Sequence, residues 1–342
     1  QNSMTISIGI TSISRIPSLK RLFVIFTCFL SANLVFAQRD VVNTKDYFLV
    51  INAYTEAFSW SNSLIYKATE FVKDDPNIAI YAEHMNLLKM DNDTMLREFS
   101  TKLFEKYGSN SPRAILLLGN STLMLRDDFR RVWGDVPVIL CAEKDYIGPQ
   151  EYYLKKQPIP LSEQAPLTEL GQPYNLVLLY SNQYVRENLE LMFHILPDMK
   201  KFIYVGDLRF INQTNSQEIQ EVLQAGHPEV QYTFLSPKNI TETNQLIDSL
   251  NFVDPRTTGI LFSSWLYKRN FAGDTSLSIV SPKIISTVSP PLFALNPIDV
   301  KDKSSGMIGG YSYNQEEFDK HFLSILSDVL NGKQPRDLLY YY

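Results

Sequence analysis

Short runs of residues that are apolar at every position recur along the chain, each followed by a longer segment whose apolar residues repeat at helical spacing. The runs 47–51, 78–81, 114–118 and 136–140 fill the first half. Between them, Leu64, Ile65, Ala68, Phe71 and Val72 share one helical face. Leu96, Phe99 and Leu103 mark a second helix, and a third lies near 123–132. Runs without polar alternation suit strands covered on both faces, and strands alternating with helices build a parallel sheet flanked by helices. The rhythm breaks over 145–174. Five prolines there (Pro149, Pro158, Pro160, Pro166 and Pro173) predict a long surface connection, a lid or a hinge-side loop. It resumes with strands at 176–180, 202–205, 230–235, 259–262, 283–286 and 292–295. Helices are expected at 185–196 and 240–250, and another is capped by Asn215 or Ser216 and stopped by Gly226. Phe318, Phe322, Ile325, Leu326, Val329 and Leu330 form one stripe of a last helix over 316–330. The expectation is an α/β chain of two doubly wound parallel-sheet lobes around a cleft, with ligand-bearing loops at the carboxyl ends of the strands.

Residues 1–37 carry Arg15, Lys20 and Arg21 and no acidic residue, then the apolar run 22–30, with Val35 and Ala37 before Gln38. That order predicts a secretory signal peptide cleaved before Gln38. The run is interrupted by Ser31 and Asn33 and falls short of the ~20 apolar residues of a membrane span. With 32 basic and 37 acidic residues the net charge is −5; without 1–37, 29 basic residues remain against 37 acidic. An acid excess excludes broad nucleic-acid binding through a basic face. Two cysteines and four histidines leave little for a zinc site and nothing for a disulfide framework. Cys141, at the end of an apolar run, reads as a buried core residue rather than a nucleophile.

Candidate chemistry lies in the loops after the strands. The first holds Asn52, Tyr54, Phe58 and Trp60, an amide among aromatic faces, which suits a ring or an amphipathic ligand; the same stretch could serve as a helix cap through Ser59 or Ser61. Glu83 and His84 follow the second strand, where Glu83 is a candidate hydrogen-bond acceptor for ligand. With no serine or cysteine elbow, the pair is not a catalytic constellation. Gly119 and Asn120 follow the third strand and allow close backbone approach, but no Gly-Lys-Ser/Thr follows, so this is not a phosphate-binding loop. In the second half, Asp207 and Arg209 offer charge of both signs, Trp265 is a candidate stacking wall, and Asn296 and Asp299 end the last strand. No catalytic residue, metal ligand or cofactor motif is expected.

Three stretches carry a family likeness. Residues 291–295, then Gly306-Met307-Ile308-Gly309-Gly310-Tyr311-Ser312, then a helix ending Leu330-Asn331-Gly332-Lys333-Gln334-Pro335, resemble the end of type I periplasmic binding proteins of the ABC-transporter substrate-binding-like family. Residues 195–205 resemble that family's entry into its second lobe. The loop 52–60 is similar to the first-strand loop of periplasmic sensor regions in Bacteroidota two-component, including hybrid, histidine kinases. The resemblance implies a first lobe of 38–182 plus 300–342, a second of 183–299, and a ligand in the cleft. It implies a periplasmic or extracytoplasmic sensor domain that signals by cleft closure to a downstream inner-membrane helix and kinase. The family usually continues beyond the point where Tyr340-Tyr341-Tyr342 end this sequence, so a truncated kinase record is expected. The other reading is a free-standing substrate-binding protein of an ABC transporter; a secreted hydrolase ranks last for want of a nucleophile elbow. The expected ligand is a sugar, an amino acid, a nucleobase or a peptide, and self-association into a homodimer is a further expectation.

Overall fold

The computed structural model describes residues 46–240, 242–271, 274–279, 287–296 and 306–338. The expected signal peptide, the strand at 283–286 and Asp299 lie outside the described residues.

The apolar runs form two parallel sheets. In the first, β1 (Asp46–Asn52), β2 (Ile78–His84), β3 (Ala114–Leu118), β4 (Val138–Ala142) and β7 (Leu176–Tyr180) lie in the order β2-β1-β3-β4-β7. In the second, β8 (Lys201–Val205), β9 (Gln231–Leu235), β10 (Thr258–Phe262) and β13 (Leu292–Ala294) lie in the order β13-β10-β8-β9. Both orders run outward from a central first strand and reverse there, so the loops after neighbouring strands open a crevice at the carboxyl edge.

Helices cover the sheets with their apolar stripes. α1 (Ser59–Val72) turns Trp60, Leu64, Ala68 and Val72 inward. α2 (Asp93–Tyr107) starts at Asn92, whose Oδ1 accepts the Met95 amide at 3.0 Å, and α3 (Arg126–Trp133) buries Phe129. α9 (Gln315–Leu330) starts at Asn314, whose side chain accepts from the amides of Glu316 and Glu317. Its Phe318, Phe322, Ile325, Leu326 and Val329 join the core built on Phe48, Val50, Leu116 and Val177. The chain's last described α-helix therefore packs on the first sheet, while described residues between 185 and 295 build the cores around β8 and β10.

The chain leaves the first sheet after Ser181 and returns ahead of α9, and the two passages are tied together. Asn188 Nδ2 donates to the Tyr311 carbonyl at 2.7 Å, and Asn188 Oδ1 accepts the Tyr311 amide at 2.7 Å. Gly310 lies just upstream, where a Cβ would sit 1.9 Å from the Ala294 carbonyl oxygen, so only glycine lets the returning chain pass β13 this closely.

Three expectations are corrected. The segment 145–174 is not a bare surface loop. β5 (Tyr146–Ile147) pairs with β6 (Ala165–Pro166), α4 (Gln150–Lys155) and α5 (Gly171–Tyr174) lie within it, and Tyr153, Ile159 and Leu167 are buried. The prolines delimit short elements rather than abolish structure: Pro149 and Pro160 stand immediately before helical turns. Next, α7 (Phe210–Gly226) begins five residues before the expected cap. Asn212 and Asn215 are inside it and buried, because their amides bond Asp207 and Tyr204 instead of capping. Finally, an antiparallel hairpin, β11 (Leu266–Phe271) with β12 (Asp274–Ile279), follows β10, where no strand is expected. The remaining helices, α6 (Val185–Ile195) and α8 (Thr243–Asn251), lie where their spacing places them. No helix among the described residues is long and apolar enough to cross a membrane.

Candidate functional site

The carboxyl edges of the two sheets face each other, and the loops after β1, β3 and β4 meet those after β8, β10 and β13. The loop after β1 turns back on itself: Asn52 Oδ1 accepts the Tyr54 amide at 3.1 Å, and Asn52 Nδ2 lies 2.9 Å from His84 Nδ1. Asn52 is wholly buried by these contacts, which hold the loop rather than present the amide to a ligand. The same turn packs Tyr54 at a tilt against Phe58 (ring centroids 4.7 Å apart) and sets it edge-on to Trp60 (6.0 Å).

After β3, Gly119 adopts φ +93°, and a Cβ there would lie 2.8 Å from the Tyr54 hydroxyl. Glycine is thus required both by the backbone and by the aromatic packed on it. Asn120 uses every bond its amide can make across one loop. Nδ2 donates to the carbonyls of Lys144 (2.7 Å) and Tyr146 (2.9 Å), and Oδ1 accepts the amides of Glu143 (2.9 Å) and Lys144 (3.2 Å). The loop after β4 is therefore pinned, and Glu143 is held inward, where its carboxylate accepts the Tyr54 hydroxyl.

From the second sheet, Arg209 reaches across. Its guanidinium carbon lies 4.1 Å from the Phe58 ring centroid and 5.2 Å from that of Tyr54. Asp207, fully buried, fixes it: Nε donates to both carboxylate oxygens (2.9 and 3.1 Å), and Asn212 Nδ2 and Ser264 Oγ also donate to Asp207. A buried carboxylate that accepts this many donors is held in one orientation, and so is the guanidinium bound to it. A second bond between the halves joins Lys144 Nζ to Glu218 Oε2 at 3.0 Å, and Tyr153 packs on Phe210 with ring centroids 4.7 Å apart.

Two cavities lie along this seam. One, partly open to solvent, is lined by Tyr54, Thr55, Glu143, Arg209, Ile211 and Leu266 among others. The other is lined by Phe58, Trp60, Ser181, Ser263, Asn296 and Tyr313 and shares Glu143, Arg209 and Ile211 with the first. Both are narrow, with room of about 20 Å³ each. A wider polar pocket of about 290 Å³ opens beside them, by Lys144 and Glu218. A separate narrow cavity lies by Arg126, Arg130 and Tyr174.

Glu143 was not among the expected residues, yet it touches both central cavities. Burial raises its pKa, the charges of Arg209 and Lys144 pull it down, and Asp207 raises it; the balance leaves the carboxyl at about 7. Its signal was positional: it stands just past β4, in the one strand-end loop of the first sheet subsumed into the proline-rich connection.

Of the expected residues, the structure brings Tyr54, Phe58, Trp60, Asn120, Arg209 and Asn296 to the cavity walls, with Asn52, Gly119 and Asp207 directly behind them. Two are placed elsewhere. Glu83 lies within β2 rather than after it, and accepts from Lys106 Nζ and from the Tyr107 hydroxyl, both at 2.7 Å. Trp265 is buried in the core of the second sheet with Val205, Phe262 and Leu292, immediately before the hairpin that follows β10. Cys141 is buried and unpaired in the first core, and burial pushes its thiol up. Among the described residues no group of His, Cys, Asp and Glu is arranged to hold a metal ion.

No protein-family model matches the sequence, and no curated protein sequence does. Solved structures do match in fold. A protein assigned to the LacI transcriptional regulators from Bacteroides fragilis superposes with a TM-score of 0.54 at 10% identity, covering 88% of this chain and 94% of that one. A conserved domain protein from Vibrio cholerae superposes at 0.52 and 12% identity, covering 87% and 89%. An ABC sugar transporter subunit from Rhodobacter sphaeroides superposes at 0.50 and 12% identity, covering 85% and 94%. Two helix-flanked parallel sheets joined edge to edge, the loop-bearing rims facing, and the likeness over most of each chain define the architecture: it is an α/β fold of the type I periplasmic-binding-protein kind.

Proposed function

We propose that the chain binds a small molecule between two lobes, 38–182 with 300–342 and 183–299, and works outside the cytoplasm. The observation that supports this most is the convergence of Tyr54, Phe58 and Glu143 from one strand edge with Arg209 and Ile211 from the other on shared cavities. Loops from two sheets grip a ligand that neither sheet alone could enclose. Arg209 lies against Phe58, and Lys144 bonds Glu218, so entry requires these contacts to part and binding restores them around the ligand. A ligand that touches both lobes favours the closed arrangement by the contacts it makes only there.

For the use of that closure we propose sensing: hinge movement passed to a membrane helix and histidine kinase. The support is the likeness of loop 52–60 to kinase sensor regions. Delivery of solute to an ABC transporter is the second reading, favoured by the fold likeness to the Rhodobacter sugar transporter subunit. The continuation of the reading frame separates them: a membrane helix and kinase domain support sensing, a stop codon delivery.

Binding itself is tested by a thermal-shift screen of the purified chain against a metabolite library, since a ligand that prefers the folded state raises Tm. Hits should lose affinity in Phe58→Ala, and small-angle scattering should show the particle contract. A hit whose affinity Phe58→Ala leaves unchanged, with no contraction, would remove the cleft from the reading.

A further inference from the structure

We infer that the cleft's ligand is a small carboxylate with an apolar body, its carboxylate held by Nη1 of Arg209 and the hydroxyl of Thr55. This rests on the cleft-binding reading and names its ligand class. The guanidinium is a fork with two edges. One edge is spent inside the second half of the protein: Nε on Asp207, and Nη2 on Ser264 Oγ at 2.6 Å. Nη1, on the other edge, is buried and meets no partner among the described residues, and Thr55 Oγ1 is in the same state. Arg209 and Thr55 are both more than nine-tenths buried, and both line the same cavity. Buried donors without acceptors are costly, and two in one cavity mark the place where an acceptor belongs. A carboxylate fits best, because it takes a charge-assisted bond from a guanidinium and has a second oxygen for the hydroxyl.

Several other polar groups of that cavity are already engaged, although the Ser121 hydroxyl also lines it. Asn120 makes all four bonds of its amide, Glu143 accepts from Tyr54, and Lys156 Nζ donates to the Met90 carbonyl. They leave little to read the hydroxyls of a sugar. The remaining wall is apolar: Leu87, Leu88, Phe210, Ile211 and Leu266. Burial holds the Glu143 carboxyl at about 7, so at neutrality it carries only part of a negative charge toward a second carboxylate.

The test is calorimetric titration of the full chain with matched pairs. 4-Methylpentanoate, phenylacetate, indole-3-acetate, L-leucine and L-phenylalanine are each compared with the primary amide, and glucose and galactose serve as neutral polyols. At least one acid should bind, and its amide should bind about 10- to 100-fold more weakly. Arg209→Lys keeps a cation beside Asp207 and removes Nη1. With Tm confirming its fold, that variant should shrink the acid-to-amide gap to about threefold or less, by the same loss of a charge-assisted bond. An amide that binds as tightly as its acid, an undiminished gap in Arg209→Lys, or a panel in which no acid binds overturns the inference. If glucose or galactose binds and Phe58→Ala abolishes it, the carboxylate assignment falls while the cleft reading stands.

Discussion

Replacing Glu143 with Gln should change how stability depends on pH, and the sign is opposite to that of an ordinary acid. In the folded chain the carboxyl is held at about 7, against 4.5 when exposed. The groups around it are Tyr54 from the loop after β1, Lys144 beside it, Asp207 and Arg209 from the loop after β8, and Tyr313 ahead of α9. Burial outweighs the two cations. Because the folded pKa is raised, the folded state binds the proton more tightly. The stabilisation is fully present below about pH 4.5 and is lost as pH rises through about 7. At about 1.4 kcal/mol per tenfold change in proton activity, the loss is about 3 kcal/mol. For the roughly 270 described residues the melting entropy is about 0.6 kcal/mol/K, so the loss is about 5 °C in Tm. Gln keeps the shape and cannot ionise. Tm of both proteins is measured from pH 4.5 to 8, and the difference, wild type minus Glu143→Gln, should fall by about 5 °C across that range. Other carboxylates titrate equally in both and cancel. A difference that stays constant, or that grows with pH, would refute the reasoning, for it would mean that Arg209 and Lys144 stabilise the anion at least as much as burial penalises it.

Gly119→Ala should cost about 1–3 kcal/mol, from the left-handed backbone and the clash with Tyr54, read by urea denaturation. Asn120→Ala strands two carbonyls and two amides of the 143–146 loop and should cost about 2–4 kcal/mol, with faster amide exchange confined to that loop. Trp265→Ala should destabilise by about 3–5 kcal/mol by emptying the second core, while ligand affinity at a temperature where the variant is folded stays within about twofold of wild type.

The sheets were legible because a strand buried on both faces leaves an unbroken apolar run, and nothing in such runs as 47–51 or 114–118 competes with that pattern. The start of α7 was not, because Asn215 is a good cap by type and only the fold shows its amide reaching Tyr204. The site was half legible. Tyr54, Phe58 and Arg209 stand in strand-end loops and meet across the seam, which the topology of parallel sheets foretells. Trp265 stands in such a loop too, but its ring belongs to the core of the second sheet, beside a hairpin that leaves no periodic trace. Glu83 lies inside β2, which runs two residues past the apolar stretch as far as His84, and Lys106 and Tyr107, some twenty residues on, claim it from the neighbouring helix. Glu143 was hidden by the prolines after it, whose local meaning, a chain that cannot stay regular, obscured that Asn120 pins the first residues of the segment.

The most direct measurement is a crystal structure of the chain with the tightest ligand from the screen. Ligand atoms should lie between the two strand edges, within hydrogen-bonding distance of Arg209 or Glu143 and in contact with Tyr54 or Phe58. Density for the ligand beside Arg126 and Tyr174, or on the outer surface with the seam unchanged, would contradict the claim that the two sheets close on a solute.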